Sequence, residues 1–154
     1  MTQERTEGHA PLLPRLAEAA YRHVFQLVSV VGLPPWFIVT LETRGRRSGR
    51  VHAAVVILTA WAGERYAVSV LGDGSDWVQN VRAAGGQATI RHGGRRNVRL
   101  SEVPEDQRAP ILKAYLKWAL GARRIFNVSH TAPVDEFEHI AANHPVFRII
   151  DDPA

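Results

Sequence analysis

The sequence contains no cysteine. That excludes disulfides, thiolate metal sites and a cysteine nucleophile, and it suits a reducing compartment. Lysine is nearly absent too: Lys113 and Lys117 are the only ones. The surplus of bases over acids, 19 against 15, is therefore a surplus of arginine. Arginine offers the planar, two-pronged donor geometry that matches phosphate and carboxylate. No apolar run is long enough to span a membrane, which takes about 20 mostly apolar residues. The longest, 24–41, is interrupted by Gln26, Ser29, Gly32, Pro34 and Pro35. The first residues are polar and include Glu4 and Glu7, unlike a secretion signal. A cytoplasmic protein is expected. Histidines 9, 23, 52, 92, 130, 139 and 144 show no ligand spacing, so no metal site is expected. A Gly-x-Ser-x-Gly nucleophile turn is missing as well.

What is present reads as one domain. Residues 1–10 are expected to be a disordered tail and 11–154 a single domain. Leu13, Leu16, Ala20, Val24, Leu27, Val28 and Val31 recur at helical spacing and predict an amphipathic helix over 12–31, stopped by Gly32 and Pro34-Pro35. Strands are expected at 36–43, 51–61, 65–71, 87–92, 95–102 and 145–150. The second is nearly all apolar and is expected to be buried on both faces. Helices are expected at 76–84, capped by Ser75, and at 105–120 and 134–142, with 121–133 irregular. Gly93-Gly94 reads as a two-residue hairpin. Short connections favour antiparallel pairing. The expected class is α+β: a small β-barrel of about six mostly antiparallel strands with flanking helices.

Two arginine clusters stand out. Arg44, Arg46, Arg47 and Arg50 surround a glycine-bounded turn, and Arg91, Arg95, Arg96 and Arg99 surround the hairpin. In the turn, Gly45 and Gly49 let the backbone bend sharply. Ser48 and the backbone N–H groups can face an anion. Taken alone, a solvated turn explains the same residues. The hairpin could track nucleic acid but lacks interleaved aromatics. It is expected to protect a sheet edge, and no nucleic-acid partner is expected. In 76–83 (DWVQNVRA), Trp77 and Val81 should face the core, and Asn80 could reach the neighbouring loop or a ligand. Asp135, Glu136 and Glu138 read as a solvated acidic face.

The stretch 41–50, LETRGRRSGR, resembles the L-x-T-x-GRKSG signature of the deazaflavin-dependent nitroreductase (quinone reductase) family. The stretch 76–83 resembles that family's W-x-x-N-L-x-A segment. The resemblance runs from about residue 36 to about 103, and more loosely to 150. It implies a split β-barrel of the FMN-binding type and a reduced coenzyme F-420, a deazaflavin with a phosphate and oligoglutamate tail. Arg46, Arg47, Ser48, Gly49 and Arg50 would hold that tail. The ring would lie near Ala54, Val55 and Val56, with His52 and Ser69 in the cofactor-binding set. Ser69 is the candidate proton donor. Trp77 and Asn80 would buttress the cofactor loop. The implied reaction is hydride transfer to a quinone, enone or nitro compound. The chain departs from the family where 52–55 reads HAAV instead of carrying Arg, Thr and Pro, and where Val70 and Leu71 follow Ser69. Phe126 and Phe137 are the nearest aromatics for an acceptor pocket. Two alternatives remain: an FMN-dependent oxidoreductase on the same barrel, and a non-catalytic fatty-acid or cofactor binder. A monomer or homodimer is expected, with peripheral membrane contact through the first helix left open.

Overall fold

Val39 and Leu41 alternate with Ile38, Thr40 and Glu42, so one face of the first strand is apolar up to Thr43. In the computed structural model, which describes residues 36–152, that face lines the inside of a closed barrel. Its strands are β1 (Ile38–Arg44), β2 (Val51–Trp61), β3 (Glu64–Val68), β4 (Gln87–Arg91), β5 (Arg95–Glu102) and β6 (Val146–Asp151). They run β1-β2-β3-β6-β5-β4 around the barrel, and each neighbouring pair is antiparallel. With flanking helices this is an α+β split barrel, as the sequence predicts. The expected tail 1–10 and helix 12–31 lie outside the described residues.

Val56, Leu58, Ala67, Ile90, Val98, Leu100, Phe147 and Ile149 complete the barrel interior. Helix α1 (Asp76–Ala83) closes one end: Val78 and Val81 belong to the same core, and Trp77 meets Phe147 edge-on at 5.4 Å. A second core lies outside the barrel. There α2 (Ala109–Tyr115), α3 (Arg123–Phe126) and α4 (Val134–Ala141) cover Tyr66, Val68 and Ile57. Arg82 pins α1 to the end of β5 through Glu102 at 2.6 Å, and Arg108 joins the same carboxylate at 3.3 Å.

Several expectations are corrected. β2 is not buried on both faces: Val51 is 64% exposed, and His52 and Ala53 are exposed too, because the outer helices reach only its later half. The 105–120 helix divides. Glu105–Gln107 is a 3-10 turn, α2 starts at Ala109 where Pro110 fits the first turn, and Leu120–Ala122 is a second 3-10 turn. The supposedly irregular 121–133 contains α3. The β3 strand ends at Val68, leaving Leu71 exposed. Arg91 pairs with Arg95, so the hairpin connection has three residues, with Gly93 at φ +67°. The hairpin guards no edge, since β4 and β5 both pair on each side within the closed barrel. Two of its arginines instead clamp a nearly buried acid: Glu42 receives Arg91 at 3.1 Å and Arg95 at 2.7 Å.

Candidate functional site

The link from β1 to β2 is tightly built. Gly45 N–H donates to the Arg50 carbonyl at 2.7 Å, and Gly49 N–H to the Gly45 carbonyl at 2.9 Å. A Cβ on Gly45 would stand 2.7 Å from His52 Nε2 and 2.8 Å from Ser48 Oγ, so a side chain there would displace both. Gly49 sits at φ +69°, the left-handed region that favours glycine. Ser48 Oγ accepts the Arg50 N–H at 3.2 Å and so braces the turn from inside.

Asn80 fastens this turn to α1. Its Oδ1 accepts the Arg46 backbone N–H at 3.2 Å and Arg46 Nη1 at 2.9 Å, while its Nδ2 donates to Thr43 Oγ1 at 3.3 Å. Asn80 is 2% exposed, so these bonds satisfy a buried amide. Arg46 also meets Asp76 at 3.3 Å. Of the expected tail-holding arginines, Arg46 is thus the anchor of the turn. Arg47 and Arg50, with Arg44, are exposed and form no ion pair among the described residues. A groove of about 330 Å³ is lined by Arg44 and Arg95, by the acids Glu42 and Asp152, and by Val51 and Asn97; Arg47 and Arg50 do not line it.

The β2 residues expected near the ring divide between two faces. Val56 is in the barrel core, and Ala54 pairs with Leu41 on the inward side. Val55 shares the outer face with Val51 and Ala53, an apolar strip leading away from the turn. Trp77 is partly buried and packs against the barrel core beside Phe147, whereas Asn80 bonds to the turn.

Ser69 is 1% exposed. Its hydroxyl donates to the Gly72 carbonyl at 2.7 Å and meets Ser75 Oγ at 2.9 Å. The proton of Ser69 is therefore committed to the loop. Ser75 precedes α1 but makes no capping bond with its side chain, which Ser69 has taken. Phe126 and Phe137 are buried in the outer core. Phe126 instead lies 4.2 Å from the His144 ring, whose Nδ1 meets the Ser69 carbonyl at 3.1 Å. Burial pushes the His144 pKa down, so the ring is neutral and donates from Nδ1. The sequence reading missed this histidine and the Glu42 clamp. Glu42 carried one signal, an acid directly after the apolar and β-branched run 38–41. Among the described residues no cluster of three metal-binding side chains occurs, and no helix is long and apolar enough to cross a membrane.

No protein-family model matches the sequence, and no curated protein matches it. Solved structures do resemble the fold. A protein described as a domain-swapped dimer is 14% identical, with 90% of this chain and 99% of that chain covered and a TM-score of 0.52. A candidate pyridoxamine 5'-phosphate oxidase from Listeria innocua is 13% identical over 76% and 85%, with a TM-score of 0.51. An F-420-H2-dependent reductase is 17% identical over 73% and 93%, with a TM-score of 0.46. At these identities the first two establish the fold and nothing more, and the third lies too far off to bear on this chain.

Proposed function

We propose that this chain is an oxidoreductase that holds reduced coenzyme F-420 by its anionic tail and passes a hydride to a small quinone, enone or nitro compound. One observation carries the reading: a rigidly fastened turn presents Arg44, Arg47 and Arg50, none of them in an ion pair among the described residues. Exposed like charges repel one another, and a phosphate or glutamate tail would relieve that repulsion while gaining charge-assisted hydrogen bonds.

The residues suit such a group. The turn supplies guanidinium donors and, in Gly45 and Gly49, positions without side chains. The outer strip of Val51, Ala53 and Val55 supplies a flat apolar wall for a ring, using the strand's outer face and its backbone. A bound deazaflavin would supply the hydride chemistry. The chain's own work is to grip the tail, align the ring plane with β2 and keep water from the apolar strip. Asn80 acts by holding Arg46, and through it the turn. The proton for the acceptor comes from solvent in this reading, because the Ser69 hydroxyl is engaged.

FMN is the second reading. Its tail ends in a single phosphate that the same arginines would accept, and the fold is shared with the candidate pyridoxamine 5'-phosphate oxidase. A homodimer is the assembly we favour, supported by the domain-swapped dimer of like fold. Cytoplasmic placement, with any peripheral membrane contact made by 12–31, belongs to the same proposal. The test is a titration of the full chain with oxidised and reduced F-420 and with FMN, followed by quinone and nitro-compound turnover. Saturable deazaflavin binding in the micromolar range is expected. Binding of FMN alone would replace the first reading with the second, tight binding without turnover would make the chain a carrier, and no binding of either would overturn both.

A further inference from the structure

Among the described residues, the barrel end opposite α1 is open. A cavity of about 380 Å³ lies there, between the start of β1 and the β4–β5 hairpin. Its floor is the barrel core itself: Val39, Leu58 and Ile90. Its wall is the indole of Trp36, 48% exposed and set edge-on to Phe37 at 5.9 Å. The hairpin tip, Gly93-Gly94, borders it with backbone and no side chains.

The rim is positive. Arg65 and Arg96 share one carboxylate, Asp151, at 3.3 and 3.1 Å. Arg91 and Arg95 share Glu42. Arg65, Arg95 and Arg96 line the cavity and Arg91 does not; Arg65 and Arg96 outnumber their shared Asp151 by one positive charge. Asp151 is more than half exposed, so its pairs are screened by solvent and readily exchanged for another anion. Apolar floor, aromatic wall and cationic rim together form a site of the kind that takes small molecules at barrel mouths.

We propose that this mouth binds a compact organic anion, an aryl or short alkyl carboxylate. Its apolar body rests on Val39, Leu58 and Ile90 beside Trp36, and its carboxylate meets Arg96 and Arg65. The site is separate from the Gly45–Arg50 turn, at the other end of the barrel, and does not depend on the cofactor reading. His92 also lines the cavity, with its Nδ1 held at the Ile38 carbonyl, 3.1 Å away.

The test is calorimetric titration of the full chain with naphthoate and with its neutral counterpart naphthylmethanol. Saturable naphthoate binding is expected, about tenfold tighter than the alcohol, the worth of one charge-assisted pair. It should weaken as salt is raised. Arg96→Ala should remove about that tenfold and Trp36→Ala should weaken both ligands, while Arg47→Ala changes neither. Both altered side chains are about half exposed, and thermal melts establish that the variants fold. Should Arg96→Ala melt early, Arg96→Lys keeps the charge, loses the fork, and is expected to fall between. Equal affinity for acid and alcohol, no saturation, or indifference to Arg96 and Trp36 would overturn the proposal. The last pattern is what occupation of the mouth by residues before Trp36 would give. None of these results would touch deazaflavin binding at the turn, which is read separately.

Discussion

Asn80 Oδ1 receives both the backbone N–H and the Nη1 of Arg46, across 34 positions of sequence, at 3.2 and 2.9 Å. A single buried amide oxygen therefore sets the position of the turn and the direction of its first arginine. The same guanidinium also meets Asp76 at 3.3 Å, an exposed pair that adds to the hold of the buried amide.

Asn80→Ala leaves the Arg46 N–H and Thr43 Oγ1 short of partners near the barrel wall. Stability should fall by about 1–3 kcal/mol, measured by urea unfolding. Deazaflavin affinity should fall as well, because the turn loses its fixed register. A variant with unchanged affinity would mean that the turn holds its shape without the amide.

Arg47→Ala and Arg50→Ala should behave oppositely. Both side chains are exposed and form no ion pair among the described residues. Their loss should move stability by no more than about 0.5 kcal/mol. Each should weaken deazaflavin binding by about tenfold, more at low salt than at high. Unchanged affinity in both would place the anionic tail elsewhere.

Gly86→Ala tests the packing beneath β5. Gly86 lies at φ +93°, and a Cβ there would meet the Leu100 carbonyl oxygen at 2.7 Å. Its own carbonyl accepts the Leu100 N–H at 2.7 Å, so the strand cannot move off without losing a bond. A loss of about 1–3 kcal/mol is expected from backbone strain alone, seen as a lower denaturation midpoint.

His144 should make stability depend on pH. Burial against Phe126 lowers its folded pKa below the ordinary 6.5, with the bonds to the backbone at Ser69 and Val70 opposing in part. The unfolded chain therefore takes up a proton that the folded chain resists. Stability from this source is complete above 6.5 and declines as the pH falls through it. Urea midpoints at about pH 7.5 and about pH 5.5 should separate in the parent and converge in His144→Gln. Parallel losses in both proteins would assign the dependence to other groups.

Much of this architecture was legible in the residues. The alternation of Val39 and Leu41, the glycine-bounded arginine turn and the Trp77–Val81 spacing each point to the element that forms. The turn's connection to α1 was half legible, because Asn80 stands three residues after a core-facing tryptophan and so near the barrel wall. The exposure of early β2 was not legible. An all-apolar strand looks the same whether helices cover it or not, and only the placement of α2 decides that. Nor was the fate of Ser69, whose hydroxyl meets Ser75 and Gly72 through a loop conformation that spacing alone does not specify.

Local chemistry therefore settled the elements: side-chain alternation made the strands, and glycines without Cβ atoms made the bends. The closed barrel decided the partners. Closure set Glu42 between Arg91 and Arg95, and Arg46 against Asn80, with Arg44, Arg47 and Arg50 in no ion pair among the described residues. Charges in a chain repel or attract according to distance in space. That distance was set by the order in which six strands close, which no short stretch of residues contains.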